Sequence, residues 1–328
     1  MKKIAFRTMG GQDIGYGHLF RCLSLAKALK KESLSYKIYF IVNQEVKNIV
    51  VERGFEFFLS NNFEKDFEIF EKMWFDLIIV DSYRANDHYL KSIKKITKLM
   101  LFDDNNDIYD SGIPDIVLNG NIHAKDLAYK IDSPTHFFLG SEYLVMQEEY
   151  WNNTLNKYNE KKGILITTGG SDAHNISPEI LKEIVKTDYL VTLIVGPGYS
   201  KETVQELHQL KNNKTTIMIK PNGLKDYIKN SEYVITSCGS TVYEVLSQES
   251  IPIIFTLAEN QKIAYNYFRD LGVETLGQYP NIRYNEIIQI FNQPQKMHEH
   301  KLSELYKTID GKGALRVSSQ IIQFLNSI

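Results

Sequence analysis

The chain has 328 residues, of which 43% are hydrophobic and 24% charged, and its 38 Lys and Arg against 40 Asp and Glu give a formal net charge of −2. This composition excludes a disordered, collagen-like or coiled-coil chain. The nearly balanced charge gives no general attraction to nucleic acid or anionic lipid, so we predict no nucleic-acid partner. At about 100–200 residues per domain, the length predicts two domains, and we expect a cleft between them.

No segment of the sequence predicts a membrane span. The longest apolar runs, Leu77–Val80 and Tyr189–Val195, have the length of strands, whereas a spanning helix needs about 18 or more apolar residues. The apolar stretch before Arg7 is too short for the core of a signal peptide. Cys22 and Cys238 lie far apart and in no metal-like spacing, so neither a disulfide nor a zinc site is expected. We therefore expect a cytoplasmic protein.

In the first half, short apolar runs alternate with longer amphipathic stretches, which is typical of βαβ units with a parallel sheet. A glycine-rich loop, 9–17, leads into a helix over 18–31 with apolar residues at helical spacing. The polar segment 147–162 is predicted to be a linker. Strands are predicted at 3–7, 36–42, 77–80, 98–102 and 116–118.

The second half restarts the same pattern, with helices predicted at 178–187 and 242–247. The strands are predicted at 163–167, 190–195, 233–236 and 252–255. We therefore predict an N-terminal Rossmann-like domain over 1–147, a C-terminal one over 163–311, and a last helix within 312–328 that packs back on the N-terminal domain. Glycine-rich loops would then lie at the carboxyl ends of two sheets, where α/β proteins bind ligands.

The loop from Gly10 to His18 joins a predicted strand to a helix, so its glycines let a ligand approach the backbone near a helix N-terminus. It is not a dinucleotide fingerprint, because Phe20 occupies the position of the last glycine. The helix dipole disfavours an imidazolium at His18, which favours a neutral ring that can accept a proton. His18 as a mere helix cap is an equal alternative.

Two further segments of the first half follow predicted strands. Asp81-Ser82-Tyr83 comes after an apolar strand, and Tyr83 is either a donor to a sugar hydroxyl or a rim aromatic that covers the core. The acidic run from Asp103 to Asp107 lacks the ligand spacing of a calcium loop, and we interpret it as a helix-capping and turn segment. No histidine pair has metal-ligand spacing, and no covalent nucleophile is indicated.

In the second half, the loops Thr168–Asp172 and Gly239–Thr241 follow strands and could hold a diphosphate through backbone N–H groups and hydroxyls. Glu244 could then bind a ribose diol. The alternative for this segment is a capping box, with Thr241 as N-cap and Glu244 three residues later. Asn260-Gln261 would present amides to a hexose, or serve as a helix cap.

Eight motifs occur along the chain in the order found in the UDP-sugar hydrolases of pseudaminic acid biosynthesis, a family to which the sequence is similar over about residues 4 to 275. It also resembles the related spore-coat-polysaccharide proteins, and its first loop resembles that of the N-acetylglucosaminyltransferase that makes lipid II. The motifs are Ile14-Gly15-Tyr16-Gly17-His18-x-x-Arg21-Cys22-Leu23-x-Leu25-Ala26, Asp81-Ser82-Tyr83, Asp103-Asp104, Leu118-Asn119-x-Asn121, Leu139-Gly140-x-x-Tyr143, Gly169-Gly170-Ser171-Asp172, Gly239-Ser240-Thr241-x-x-Glu244 and Asn260-Gln261.

The resemblance implies the α/β GT-B fold, with two Rossmann-like domains facing across a cleft, and a UDP-sugar as the partner. We also predict a monomer, and no metal or other cofactor, because no D-x-D-type pair lies in a convincing donor loop and Asp103-Asp104 belongs to the first half. It implies that His18 is the general base and that water releases UDP and a free acetamido-deoxy hexose, the family's altropyranose, with inversion. The catalytic set is then His18, Tyr83 and Asn260; the substrate-binding set is Arg7, Asp13, Gly15, Tyr16, Gly17, Arg21 and Gln261; and the nucleotide-binding set is Gly169, Gly170, Ser171, Asp172, Gly196, Cys238, Gly239, Ser240, Thr241 and Glu244.

One stretch departs from the family pattern. Where the family commonly has R-x-D-x-S, this chain has Arg7, Met9 and Gly11, so an acidic side chain and a hydroxyl are replaced. Asp13 is a candidate substitute, or the sugar differs. A GT-B glycosyltransferase, or a nucleotide-sugar-binding protein without catalysis, would need the same UDP site, so both stay open as alternatives.

Overall fold

The computed structural model describes residues 1–11, 14–32, 35–152, 155 and 160–327, apart from the side chains of Asn260 and Gln295. The chain divides into two compact units. The first comprises Met1–Asn152 together with Gly311–Ile328, and the second comprises Asn153–Asp310.

The first unit contains a seven-stranded sheet in the order β3-β2-β1-β4-β5-β6-β7, with every pair parallel. The chain builds outward from β1 to β3 and then returns to the other side of β1 with β4. The loops after β1 and β4 therefore flank a topological switch point, where open α/β sheets bind ligands. The strands are β1 (Lys2–Thr8), β2 (Tyr36–Val42), β3 (Glu56–Leu59), β4 (Leu77–Asp81), β5 (Lys98–Phe102), β6 (Ile116–Asn119) and β7 (His136–Leu139).

Helices cover both faces of this sheet, because successive side chains of a buried strand point to opposite sides. Ile4 and Phe6 of β1 belong to the core layer that includes the first helix, and Ala5 belongs to the opposite layer, which includes the third and fourth. The helices described between β1 and β5 are α1 (Gly17–Glu32), α2 (Lys47–Glu52), α3 (Asp66–Met73) and α4 (Asp87–Lys94).

The second unit repeats this plan with the order β10-β9-β8-β11-β12-β13-β14, parallel throughout except for the final antiparallel pair. Its switch point lies between β8 and β11. The strands are β8 (Ile164–Thr167), β9 (Val191–Val195), β10 (Thr215–Ile219), β11 (Tyr233–Ser237), β12 (Ile251–Thr256), β13 (Glu274–Gln278) and β14 (Asn281–Ile282), and the helices are α5 (Ile176–Ile184), α6 (Lys201–Leu210), α7 (Lys225–Asn230), α8 (Ser240–Ser247), α9 (Lys262–Asp270), α10 (Ile287–Phe291) and α11 (Gln295–Thr308).

The last helix, α12 (Gly313–Asn326), lies in the first unit and packs against α1. Val317, Ile321 and Leu325 recur at helical spacing and join the core layer under α1. The first unit is therefore built from two segments of the chain that are far apart in sequence.

Candidate functional site

A cavity of about 200 Å³ opens in the first unit where the loops after β1 and β4 meet. Both loops leave the carboxyl ends of neighbouring strands, and Thr8 of β1 is the register partner of Asp81 of β4. The cavity therefore lies at the switch point of this sheet. Its walls are formed by Met9, Ile14, His18, Asp81, Ser82, Tyr83 and Arg84.

His18 and Asp81 form a hydrogen-bonded pair in this wall. His18 is the second residue of α1, and its Nδ1 lies 2.5 Å from Oδ1 of Asp81, the last residue of β4. An ionised carboxylate only accepts hydrogen bonds, so we assign the proton of the neutral imidazole to Nδ1, which donates a hydrogen bond to Asp81. The lone pair of the imidazole is then on Nε2. In this tautomer, His18 can accept a proton from a ligand or a water molecule.

Arg21 lies one turn after His18 on α1 and joins two carboxylates. Its Nε and Nη2 each donate to Asp81 at 2.6 Å, and its Nη1 and Nη2 donate to Asp104 at 2.8 and 3.1 Å. The guanidinium also lies over the ring of Phe102, 4.8 Å from the ring centroid. This is a double bidentate arrangement, which fixes the plane of the guanidinium.

Arginine keeps both carboxylates ionised. Burial by itself raises the pKa of Asp81, but the charge and hydrogen bonds of Arg21 outweigh it, and the pKa is lowered from its usual 3.8. The same balance lowers the pKa of Asp104, where Tyr83 adds a hydrogen bond. Asp81 is 1% exposed, so without this pairing its charge would be costly.

Tyr83 forms the wall next to His18. The two rings are T-shaped with centroids 4.6 Å apart, and the Tyr83 hydroxyl donates to Asp104. Burial and the nearby Asp104 charge raise the pKa of the phenol, so it stays protonated. Because its proton is engaged with Asp104, the phenol oxygen offers the cavity an acceptor.

The predicted substrate-binding residues of the first unit are only partly brought together. Gly15 and Tyr16 are exposed in the loop before α1, and Gly17 is exposed at the first position of that helix, next to the cavity wall. Asp13 lies outside the described residues. Arg21 lies near the cavity, but its donors are largely committed to two carboxylates.

The prediction for Arg7 is corrected by the structure. Arg7 is fully buried, its Nε donates to Asp66 at 2.6 Å, and its guanidinium lies over the ring of Phe63. The alternation along β1 turns this side chain toward the layer of α3 and α4, which is opposite to α1. Arg7 forms an ion pair inside the core and does not line the cavity.

In the second unit, the predicted nucleotide loops follow β8 and β11, on the two sides of the switch point. A Cβ added at Gly169, Gly170 or Gly239 would meet no atom within 4 Å, so the backbone there is open to a ligand. Ser171 and Ser240 are exposed, and Thr241 and Glu244 are half-buried.

Thr241 is not the N-cap of its helix, contrary to what the capping-box alternative expected. Helix α8 begins at Ser240, two residues before the predicted start, and its N-cap is Gly239. The N-cap residue therefore supplies no side-chain oxygen, and the N–H groups at a helix N-terminus suit an anionic ligand.

Three other predicted nucleotide residues have roles inside the unit. Both carboxylate oxygens of Asp172 accept backbone N–H groups of α5, from Ile176 and Ser177, each at 2.8 Å. Gly196 is buried, and a Cβ there would lie 2.5 Å from the carbonyl oxygen of Gly170. Cys238 is 2% exposed, and burial raises the pKa of its thiol to about 12. The side chains of Asp172 and Cys238 are therefore not available to a nucleotide, and Gly196 supports the loop above it.

A larger cavity of about 520 Å³ opens beside the first of these loops, but of the predicted nucleotide residues only Asp172 lines it. Gln261 accepts the backbone N–H of Leu257 at 2.9 Å and occupies the N-cap position of α9, but its side chain makes no capping bond to that helix. The side chain of Asn260 lies outside the described residues.

Sequence reasoning missed the structural importance of two aspartates. Asp81 was noted only as a neighbour of Tyr83, and Asp104 was assigned to a turn. Asp103 does accept the backbone N–H groups of Asn105 and Asn106, as a turn residue should. Asp104 instead binds Arg21 and Tyr83. The available signal is that Asp81 ends β4 and Asp104 lies two residues after β5, and that the carboxyl ends of these neighbouring strands meet at one edge of the sheet.

Among the described residues, no group of three or more His, Cys, Asp and Glu side chains is placed to hold a metal ion. The described part of the chain also contains no helix that is both long and apolar enough to cross a bilayer.

These two units, each with loops at a switch point, define an α/β two-domain protein with the GT-B fold, as predicted. Solved structures match this chain over nearly its whole length at low sequence identity. Acinetobacter baumannii MurG matches with a TM-score of 0.64 at 12% identity over 100% of both chains. Spinosyn forosaminyltransferase SpnP matches with a TM-score of 0.73 at 9% identity over 99% of both.

Distant relatives are found among curated proteins, whereas no family model matches. An uncharacterized protein of Methanocaldococcus jannaschii is 28% identical over 77% of this chain and 55% of its own length. The UDP-2,4-diacetamido-2,4,6-trideoxy-beta-L-altropyranose hydrolase of Campylobacter jejuni is 24% identical over 84% of this chain and 100% of its own. A Helicobacter pylori protein that combines this hydrolase with pseudaminic acid cytidylyltransferase is 23% identical over 79% and 45%. The chain thus spans about half the length of the first and third relatives.

Proposed function

We propose that the protein hydrolyses a UDP-linked acetamido-deoxy hexose to the free sugar and UDP, with inversion, in nonulosonic acid or surface-polysaccharide biosynthesis. The observation that carries this proposal is the His18–Asp81 pair at 2.5 Å in the cavity wall. A buried carboxylate that accepts from Nδ1 leaves Nε2 as a base and stabilises the imidazolium that forms when this base takes a proton.

In the proposed reaction, Nε2 of His18 takes one proton from a water molecule while the water oxygen bonds to the anomeric carbon. The bond from that carbon to the diphosphate oxygen breaks, and its electron pair leaves with UDP. Attack from the side opposite to the leaving group inverts the anomeric centre. The positive charge on His18 is balanced by Asp81 until the proton is lost to solvent.

The proposal assigns UDP to the second unit. The N-cap of α8 is Gly239, which has no side chain, so the N–H groups there and the hydroxyls of Ser240 and Thr241 suit a diphosphate. Glu244 lies one turn further along α8 and would accept hydrogen bonds from the ribose diol. The N-terminus of α5 is less suitable, because the carboxylate of Asp172 already accepts its N–H groups.

The names of two relatives support hydrolysis, since both include the UDP-sugar hydrolase activity. The structure of SpnP supports a second candidate, a glycosyltransferase, because SpnP is a forosaminyltransferase with the same fold. The two candidates differ only in whether water or an acceptor hydroxyl attacks the anomeric carbon. A protein that binds a UDP-sugar without catalysis is the third.

UDP release from a panel of UDP-sugars, with and without candidate acceptors, separates these candidates. Release in water alone is the expected result and supports hydrolysis. Release only with an acceptor would identify a transferase, and binding without release would identify a binding protein. We also propose that no metal is required, so release should be unchanged in EDTA; loss in EDTA with recovery in magnesium would contradict this.

A further inference from the structure

Arg21 lies between the carboxylates of Asp81 and Asp104, and its Nη2 is also 3.1 Å from Nδ1 of His18. We propose that Asp104 is a positioning residue that balances the charge of Arg21 and so leaves the charge of Asp81 available to His18. The part of this inference that concerns turnover rests on the proposed hydrolysis.

The hydrogen bonds show why one carboxylate is not enough for this cluster. Arg21 donates to both oxygens of Asp81, and one of these, Oδ1, is the oxygen that accepts from His18. Arg21 therefore competes with His18 for the same atom. Asp104 draws two N–H groups of the guanidinium toward itself, at 2.8 and 3.1 Å.

Counting charges leads to the same conclusion. With Asp81 and Asp104 ionised and Arg21 protonated, the three groups sum to −1, so a protonated His18 makes the cluster neutral. Without the charge of Asp104, the same imidazolium would leave the cluster at +1, with a guanidinium nitrogen within 3.1 Å of its ring. Like charges at this distance disfavour the protonated state that general-base catalysis must form.

Other charged and titratable groups near His18 come from several elements, so a test must separate Asp104 from them. Arg21 and Cys22 lie on α1 itself, Asp81 ends β4, and Tyr83 and Arg84 follow it in the cavity wall. Asp104 lies after β5. Asp104 contacts His18 indirectly, through Arg21 and Tyr83. It accepts a hydrogen bond from the Tyr83 hydroxyl, and the Tyr83 ring packs against the imidazole.

The direct test is an NMR titration of the His18 imidazole in the ligand-free, full-length protein. Asp104→Asn keeps the shape and the ability to accept from Tyr83 but removes one negative charge, so the titration midpoint should fall by about 0.5–1 pH unit. Arg21→Gln removes the positive charge, and the midpoint should rise by a similar amount. The opposite directions are informative, because a general loss of structure would not produce them.

The matched control is Asp103→Asn, the same replacement of a carboxylate by an amide at the residue just before Asp104. Asp103 accepts from the backbone N–H groups of Asn105 and Asn106 and from the hydroxyl of Tyr129, and none of the hydrogen bonds described for it involves His18 or Arg21. The His18 midpoint should stay within about 0.2 pH unit of wild type. A shift equal to that of Asp104→Asn would mean that the effect comes from the loop and not from the Arg21 contact.

Turnover supplies the second measurement. In Asp104→Asn the acid limb of the kcat/KM profile should move to lower pH, and the plateau should fall by up to about 3–10-fold because a base weaker by about 0.5–1 pH unit removes the proton. UDP affinity should not change, since UDP is assigned to the second unit. A lower kcat/KM without any movement of the acid limb would overturn the positioning role and leave a packing role.

The outcomes also separate this inference from the proposed function. Opposite shifts in the NMR titration with no UDP release from any donor would uphold the charge balance and reject the hydrolase. Release by wild type with no shift in either variant would reject the inference alone. If circular dichroism shows that Asp104→Asn does not fold, the direction of the His18 midpoint shift in Arg21→Gln tests the inference instead. Arg21→Lys keeps the positive charge, so its midpoint should equal that of wild type.

Discussion

The carboxylate of Asp81 accepts hydrogen bonds from three side chains of α1, namely His18, Arg21 and Cys22. Burial, followed by the charge of Asp81, raises the pKa of the Cys22 thiol well above its usual value. Cys22 therefore stays a thiol and is unsuited to act as a nucleophile. This fits a mechanism in which His18 activates water directly.

Replacing His18 tests its proposed role as a base. His18→Asn should lower kcat by about 10²–10⁴-fold, the usual contribution of a positioned base, and leave UDP affinity unchanged. His88→Asn is the control, because His88 is exposed on α4 of the same unit. Turnover within a few-fold of wild type would show that His18 has a structural role, holding α1 to Asp81, and is not the base. A collapse of UDP affinity would show that it supports the fold or the diphosphate.

The lowered pKa of Asp81 leads us to expect that the free energy of unfolding depends on pH. Its folded pKa lies below the usual 3.8, so its contribution is present above that value and is lost as pH falls through the folded pKa. Asp81→Asn lacks this contribution. We expect the variant to be about 2–4 kcal/mol less stable near neutral pH and the difference to shrink below about pH 4.

Urea unfolding of both proteins between pH 3 and 7 measures this difference. Asp107→Asn, at an exposed position of the loop after β5, should follow wild type over the whole range. A gap between wild type and Asp81→Asn that stays constant down to pH 3 would show that the variant loses packing and not a charge interaction.

Among the helices and strands, α1 and α12 pack against each other in the core of the first unit. Helix α1 carries His18 and Arg21 at its N-terminal end, and its apolar face lies in the same core layer as Val317 and Ile321 of α12. The position of the proposed base is thus supported by a helix almost 300 residues further along the chain.

The start of α12 has no room for a side chain. A Cβ at Gly313 would lie 2.1 Å from the carbonyl oxygen of Leu144. The added methyl group of Gly313→Ala must therefore displace the start of α12 or the backbone at Leu144. We expect the free energy of unfolding, measured in urea, to fall by about 1–3 kcal/mol. At Gly17, which begins α1, a Cβ meets nothing within 4 Å, so Gly17→Ala should change stability by less than about 1 kcal/mol. Equal effects would mean that α12 is not seated on Leu144 in solution.

For the whole molecule, the proposal divides the work between the two units. Glu244 lies in the second unit and His18 in the first, so their substitutions should have different effects. Glu244→Ala should weaken UDP binding about tenfold by removing the ribose contact, whereas His18→Asn should not. Isothermal titration of the full-length protein measures both.

Glu179→Ala is the matched control, since Glu179 is an exposed glutamate of α5 in the same unit and pairs with Lys182. Its UDP affinity should equal that of wild type. Unchanged affinity in Glu244→Ala would remove this residue from the nucleotide site, and weaker UDP binding in His18→Asn would end the proposed division.

The sequence by itself predicts the α/β class, both sheets and most of the strands that form their centres. Strands such as 36–42 and 98–102 match the structure because strands buried on both faces are continuous apolar runs between turn residues. Outer strands are harder to predict. β3 and β10 are short, partly exposed and mixed in polarity, so their pairing with a neighbour decides their structure.

The sequence also indicates His18 and the glycine-rich loops, because a loop between a strand and a helix is a local pattern. The partners of His18 are decided only by the tertiary structure. Asp81 and Asp104 lie 60 and 83 residues from Arg21 in the chain, and the order of strands brings them to one edge of the sheet. The same holds for Arg7, whose direction depends on the alternation along β1 and on where α3 packs. The local spacing of residues predicts a helix or strand, but the pairing of distant strands decides which charged side chains lie in contact.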